Sequence, residues 1–243
     1  MLYLFDGTEK GFLTAFLLAF TDENAIVSSR QEQMLLGQTL ISVQTDEQKA
    51  EKVKRRLAQF DREALSELSL LLRSGEEDCE QVAFAYLRYL ANCKRPVRND
   101  LANEAVFAAD RYLRKIRFEI HRFHGFIRFM ETQSGALYAP FSPDNDICDL
   151  LLPHFRARLP KYPFVLHDVK RKKAAVYDGE NGFLAPLAQA DVLISASEAD
   201  WQSLWKEYYV AVNIPSRERL KQMRGYMPAR YWKFMPERQP PTN

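Results

Sequence analysis

The chain has 243 residues, 47% of them hydrophobic and 27% charged, with a net charge of +2. This composition suits one large or two modest folded domains and excludes a mainly disordered or collagen-like protein. The longest apolar run, about Phe12 to Phe20, is too short to span a bilayer and lacks the basic flank of a signal peptide. A cytoplasmic protein with no membrane partner is therefore expected.

"MLYLFDG" alternates like a strand and ends in the turn pair Asp6-Gly7; Thr8 is placed to cap a helix over "EKGFLTAFLLAF". "NAIVSS" and "TLISVQT" read as short strands, and Thr45 or Asp46 caps the amphipathic "EQKAEKVKRRLAQF". Its basic run "KVKRR" reads as an exposed helix face. Residues 1–60 thus form a small α/β unit. From Arg62 to about Phe126, three segments carry apolar residues at i, i+3, i+4 and i+7, with breaks at Gly75 and Pro96.

The period then changes. "FIRFMET" and "ALYAPFS" flank a hairpin turn at Gln133-Ser134-Gly135. "SPDND" opens a helix in which Pro153 is a possible kink, with Asp144 and Asp146 as caps in its first turn. "PFVLHDVKRKKAAVYDG" splits into two strands around "KRKK". A strong helix follows from Ser195 or Ser197, and the chain ends in a tail expected to fray, "QPPTN". The expected fold class is α+β: a small N-terminal α/β unit, a helical middle, and a C-terminal antiparallel sheet with packed helices. Residues 61–243 hold the helical segment and the C-terminal domain.

Recognisable catalytic motifs are absent. There is no phosphate-binding glycine loop, no G-x-S-x-G elbow and no zinc-ribbon spacing. The three cysteines, Cys79, Cys93 and Cys148, are scattered and predict reduced thiols. His121, His124, His154 and His167 cluster within 47 residues. H-x-x-H alone lacks the spacing of a zinc site, so neither metal nor cofactor is expected. His121, Asp144, His154 and Asp168 are the candidates for acid–base work. His167 and Asp168 are neighbours on a strand, face opposite sides, and form no dyad.

The basic residues are unevenly placed. Residues 1–80 carry a net −6 and the remainder +8. Cations interleaved with aromatics are the composition of a nucleic-acid surface, where cations neutralise phosphates and rings stack on unpaired bases. Arg122, Arg128, Arg158, Lys170, Arg171, Arg230 and Lys233 are the candidate contacts. The i, i+4, i+7 spacing of Trp201, Trp205 and Tyr208 predicts a core-facing stripe.

"DWQSLWKEYYVAVNIPSRERLKQMRGYMPARYWKFMPE", with "EIHRFHGFIRF", "LYAPFSPDNDICDLLLPHFRARLP", "VLHDVKRKKAAVYDG" and "YLFDGTEKGFLTAF", resembles a bacterial family assigned to DNA metabolism or DNA repair, whose shared region is a domain of unknown function. The likeness covers nearly the whole chain. Arg219 stands where the family pattern ends in a second Asn, and His124 where a hydrophobic or long side chain is common. Some relatives are fused to a uracil-DNA glycosylase-like domain, which these 243 residues do not include, so uracil excision by this chain alone is not expected. Others are encoded beside a radical-SAM protein. The resemblance implies a DNA-binding accessory factor working with a radical-SAM partner. The alternatives are an enzyme acting directly on DNA and an adaptor without DNA contact. It also marks Trp205, Tyr208, Tyr209, Met227, Pro228, Tyr231 and Trp232 as motif residues. Met227, Pro228, Tyr231 and Trp232 are expected to pin the C-terminal segment onto the sheet, with Arg230 and Lys233 facing a groove lined by His121, Arg128, His154 and Arg158.

Overall fold

The computed structural model describes residues 1–30, 39–190, 192–217 and 219–239. The fold is α+β, in two compact units, Met1–Ile116 and Arg117–Asn243. The first unit extends well past residue 60, because the helices that follow share its core. The end of the expected frayed tail, 240–243, lies outside the described residues.

In the first unit, β1 (Leu2–Leu4) lies between β2 (Ile26–Ser28) and β3 (Leu40–Ser42), both parallel to it. Such short parallel strands are stable only when helices cover them. Here α1 (Glu9–Ala19), α2 (Glu47–Phe60), α3 (Ala64–Leu71) and α4 (Cys79–Cys93) supply the cover. Their buried residues, among them Phe12, Phe16, Leu57, Leu68, Phe84 and Leu87, join one apolar core. The sequence signals at the helix starts hold. Thr8 Oγ1 accepts from Gly11 N at 2.9 Å, and Asp46, not Thr45, caps α2 by accepting from Lys49 N at 3.0 Å. The thiol of Cys79 is pushed up to about 11 by burial.

Helix α5 (Glu104–Phe126) carries the chain into the second unit. There the sheet runs β4 (Met130–Glu131), β5 (Leu137–Phe141), β6 (Phe164–Asp168), β7 (Lys173–Tyr177), β8 (Gly182–Pro186). It is antiparallel except between β5 and β6, which pair in parallel. That parallel pair needs a crossover, and α6 (Cys148–Arg158) supplies it. Phe155, Leu151 and Cys148 face the sheet, while Pro153 sits on the exposed side, so the helix runs through it unsplit. The hairpin turn forms where expected, with Gly135 at φ +79°.

Two local expectations are corrected. The helix after "SPDND" begins later, at Cys148, so Asp144 stands in a loop and not in a first helical turn. Helix α7 (Glu198–Val212) follows Ser197 but takes no side-chain cap from it; Ser195 and Ser197 hydroxyls bond each other at 2.8 Å. The start of α7 is held instead by the buried Glu198, which accepts from Glu131 N at 2.9 Å. Beyond α7 come a 3-10 turn (Pro215–Arg217), α8 (Leu220–Tyr226) and two further 3-10 turns, Ala229–Phe234 and Pro236–Arg238.

Candidate nucleic-acid interface

The candidate site residues all lie in the second unit, whose residues carry a net +4. Its centre is Glu119 on α5. The helical period places Glu119 three residues after Ile116 and four before Phe123, on the buried stripe, and its side chain is buried there. A carboxylate in such a place must be satisfied by donors. Glu119 accepts from the backbone N–H of Asp144 (2.8 Å) and Asn145 (2.9 Å), from Asn145 Nδ2 (2.6 Å) and from the Tyr231 hydroxyl (2.8 Å). It therefore holds the "SPDND" loop and the C-terminal segment to the same helix. Tyr231 is buried, with its ring 4.6 Å from that of Phe123. Burial, then the charge of Glu119 and the bond to it, raise the Tyr231 hydroxyl well above its usual range, so it remains a donor at neutral pH.

The cations around this centre are engaged with the protein. Arg230 pairs with Asp144 and lies 4.8 Å over the Tyr231 ring. Arg171 donates to Pro143 O (3.1 Å), Asp144 O (2.5 Å) and Asp168 Oδ2 (3.1 Å). Lys173 pairs with Asp146. Asp168 is fully buried and also accepts from Lys170 N and Arg171 N, which shapes the turn between β6 and β7. Arg122 donates to Gly225 O at 2.6 Å and covers the Phe118 ring. Arg128 binds Glu237 through Nη2 (2.7 Å) and Nε (3.1 Å), and Trp205 Nε1 donates to the other Glu237 oxygen at 3.0 Å. Arg158 and Lys170 are exposed and, among the described residues, have no carboxylate partner; exposed Lys233 sits over Phe234.

The histidines separate into three environments. His167 is buried; its Nε2 donates to Leu187 O at 3.0 Å, which leaves Nδ1 to accept from the Tyr138 hydroxyl at 2.6 Å. His121 is exposed beside Phe118. His124 and His154 stack at 4.0 Å, 11° from parallel, and both Nε2 atoms are buried without a hydrogen-bond partner. No group of three metal-ligating side chains occurs among the described residues. Burial lowers the His124 pKa, with the charges of His154 and His121 adding to it. The folded value thus lies below the reference 6.5. This contribution to stability is present above pH 6.5 and is lost as pH falls through the folded value. Wild-type protein is expected to lose urea midpoint between pH 7.5 and pH 5.5, and His124→Phe, which keeps a ring in the stack, to lose less. An equal loss in both would sink this assignment. The Cys148 thiol, pushed up to about 12 by burial, is no nucleophile at neutral pH.

A family model described as a domain of unknown function, DUF4130, matches residues 77–237. The chain belongs to the DUF4130 family. The matched region runs from just before α4 to Glu237 and contains every candidate site residue taken from the sequence. No curated protein and no solved structure matches. Within the DUF4130 region no helix among the described residues is long and apolar enough to cross a membrane.

The C-terminal third of the DUF4130 region presents a different surface from the one the spacing of its aromatics predicts. Trp201, Tyr208 and Tyr226 are 59%, 56% and 63% exposed, and Trp205 is also exposed. The α7 stripe does not face the core; Glu198 is its one buried residue among those described. Met227, Pro228 and Trp232 are half-buried, and the Trp232 indole closes their turn by donating to Met227 O at 3.1 Å. Tyr231 and Met235 supply the buried anchor, and Tyr231 packs on α5 through Phe123. Exposed Arg217, Arg219, Lys221 and Arg224 accompany the exposed rings, and none has a carboxylate partner among the described residues. Sequence reasoning passed over the roles of Glu119 and Glu237 and turned the α7 rings towards the core. Glu119 was detectable as the lone acid on the apolar stripe of a basic helix.

Proposed function

We propose that this DUF4130 protein is a DNA-binding accessory factor of DNA repair or DNA metabolism, and that its α7–α8 surface grips unpaired bases. The observation that carries this reading is the exposure of Trp201 and Tyr208 on α7 and of Tyr226 on α8, with exposed Lys221 and Arg224 on α8 that have no carboxylate partner among the described residues. Exposed rings give stacking faces, and free cations neutralise phosphates; together they favour single over double strands. The link to DNA repair, and a radical-SAM protein as partner, rest on the sequence resemblance alone.

Direct acid–base chemistry on DNA is less well supported. Of the four candidates, Asp168 is saturated, Asp144 is ion-paired and His154 is stacked on His124, which leaves His121 exposed. Binding therefore comes first in the proposal.

The test is anisotropy of labelled single- and double-stranded DNA across a salt series. Single strands are expected to bind more tightly, with steep loss in salt. Lys221→Ala/Arg224→Ala should flatten the log–log salt slope by about 1.4, from roughly 0.7 per phosphate contact. Trp201→Ala/Tyr208→Ala should weaken binding about thirtyfold or more, as loss of about 1–3 kcal/mol at each of two stacked bases requires. Absence of binding at low salt would remove the proposal.

A further inference from the structure

Between α7 and α8 the surface dips into a groove of about 320 Å³. Tyr209, Asn213, Arg217, Arg219, Tyr226 and Arg238 line it. The volume is at the low end for small-ligand sites, and suits one nucleotide better than an extended ligand. Three arginines are among its lining residues, and no carboxylate among the described residues lines it.

Arg238 is held by its neighbours. Its guanidinium lies 4.9 Å from the Tyr209 ring centroid and 5.3 Å from that of Trp232. Its Nη2 donates to the Tyr209 hydroxyl and to Met223 Sδ. Its Nε is buried with no hydrogen-bond acceptor among the described residues. The C-terminal end of α7 puts roughly half a negative charge nearby, which three full positive charges outweigh.

The charge selects the kind of phosphate. An internal phosphodiester carries one negative charge. A terminal phosphate monoester carries nearly two at neutral pH and offers three acceptor oxygens to guanidinium forks. We infer that this groove binds the terminal phosphate of a single-stranded nucleic acid, with Arg217, Arg219 and Arg238 on the phosphate and Tyr226 stacked on the adjoining base. The inference rests on the single-strand reading above and adds an end preference to it.

The experiment uses the full chain and three forms of one labelled DNA strand: 5′-phosphate, 3′-phosphate and hydroxyl at both ends. Thymidine monophosphate and thymidine are the free competitors. One phosphorylated form is expected to bind at least tenfold tighter than the hydroxyl form, and the monophosphate alone to compete. Arg238→Ala should erase the difference. Because Arg238 also packs on Tyr209 and Trp232, exposed Arg219→Ala is the second variant, expected to erase most of it with the fold intact. Equal affinity for all three strands overturns the groove assignment and leaves the single-strand reading standing. Binding of the monophosphate, lost in Arg219→Ala, with no strand binding, supports the groove and removes the single-strand reading. Binding of neither overturns both.

Discussion

Glu119→Ala is expected to destabilise the second unit by about 3–5 kcal/mol, the range for breaking a buried charged network by removing one member. The side chain is only 3% exposed and is the acceptor for four donors. Truncation takes the Glu119 acceptor from the N–H groups of Asp144 and Asn145, the Asn145 amide and the Tyr231 hydroxyl. Each stranded buried donor costs about 1–3 kcal/mol, less than additively when they share a site. Glu119→Gln keeps the shape but replaces one acceptor oxygen with a donor facing donors, so it should fall between Ala and wild type. Tyr231→Phe removes one donor along with its need for a partner, and should cost about 1 kcal/mol. Urea unfolding followed by tryptophan fluorescence gives the order. Hydrogen exchange at Asp144 and Asn145 supplies the local readout, with protection lost in Glu119→Ala and kept in Tyr231→Phe. A Glu119→Ala cost under about 1 kcal/mol, beneath the usual range for stranding even one buried donor, would refute the anchor.

Glu237→Ala should cost about 2–4 kcal/mol and should also weaken DNA binding. The Glu237 carboxylate is 2% exposed. It joins Arg128, just beyond the end of α5, to Trp205 on α7. Its removal leaves a largely buried guanidinium without its counter-charge, the costly half of a broken pair. It also frees α7, and with α7 the exposed rings. Glu237→Ala should therefore lower single-strand affinity although Glu237 itself would repel a phosphate. A charge effect without the structural one would raise affinity, so the sign decides between them. Acid titration gives a second readout. Burial alone would raise this carboxyl, but the hydrogen bonds and charge of Arg128 and the Trp205 indole outweigh it, and the folded pKa is lowered from 4.5. A depressed carboxyl stabilises fully above the unfolded value and loses that contribution as pH falls through the folded one. Glu237→Gln should accordingly be less stable than wild type at pH 7, with the gap narrowing below pH 4.5.

The elements that depend on near neighbours were legible in the chain alone. Apolar period made α2, α4 and α5 visible, and Thr8 and Asp46 marked two helix starts, because a cap and its N–H lie within three residues. Gly135 marked the hairpin for the same reason: its φ of +79° is a local demand. The stripe on α7 was equally visible, but spacing says only which residues share a face, not what covers it. Trp201 and Tyr208 are uncovered because the segments after α7 meet it at other residues, Glu237 at Trp205 and Arg238 at Tyr209.

The composition of the candidate site is legible in the chain, and its arrangement is not. Arg128, Arg171 and Arg230 look free in a sequence and are ion-paired in the fold, to Glu237, Asp168 and Asp144. The parallel pairing of β5 with β6 likewise depends on where α6 crosses. The sequence by itself determined the α+β class, the helix periods, the caps and the supply of cations and rings. Tertiary structure alone decided which cations remain unpaired, because that depends on contacts such as Tyr231 with Glu119, 112 residues apart.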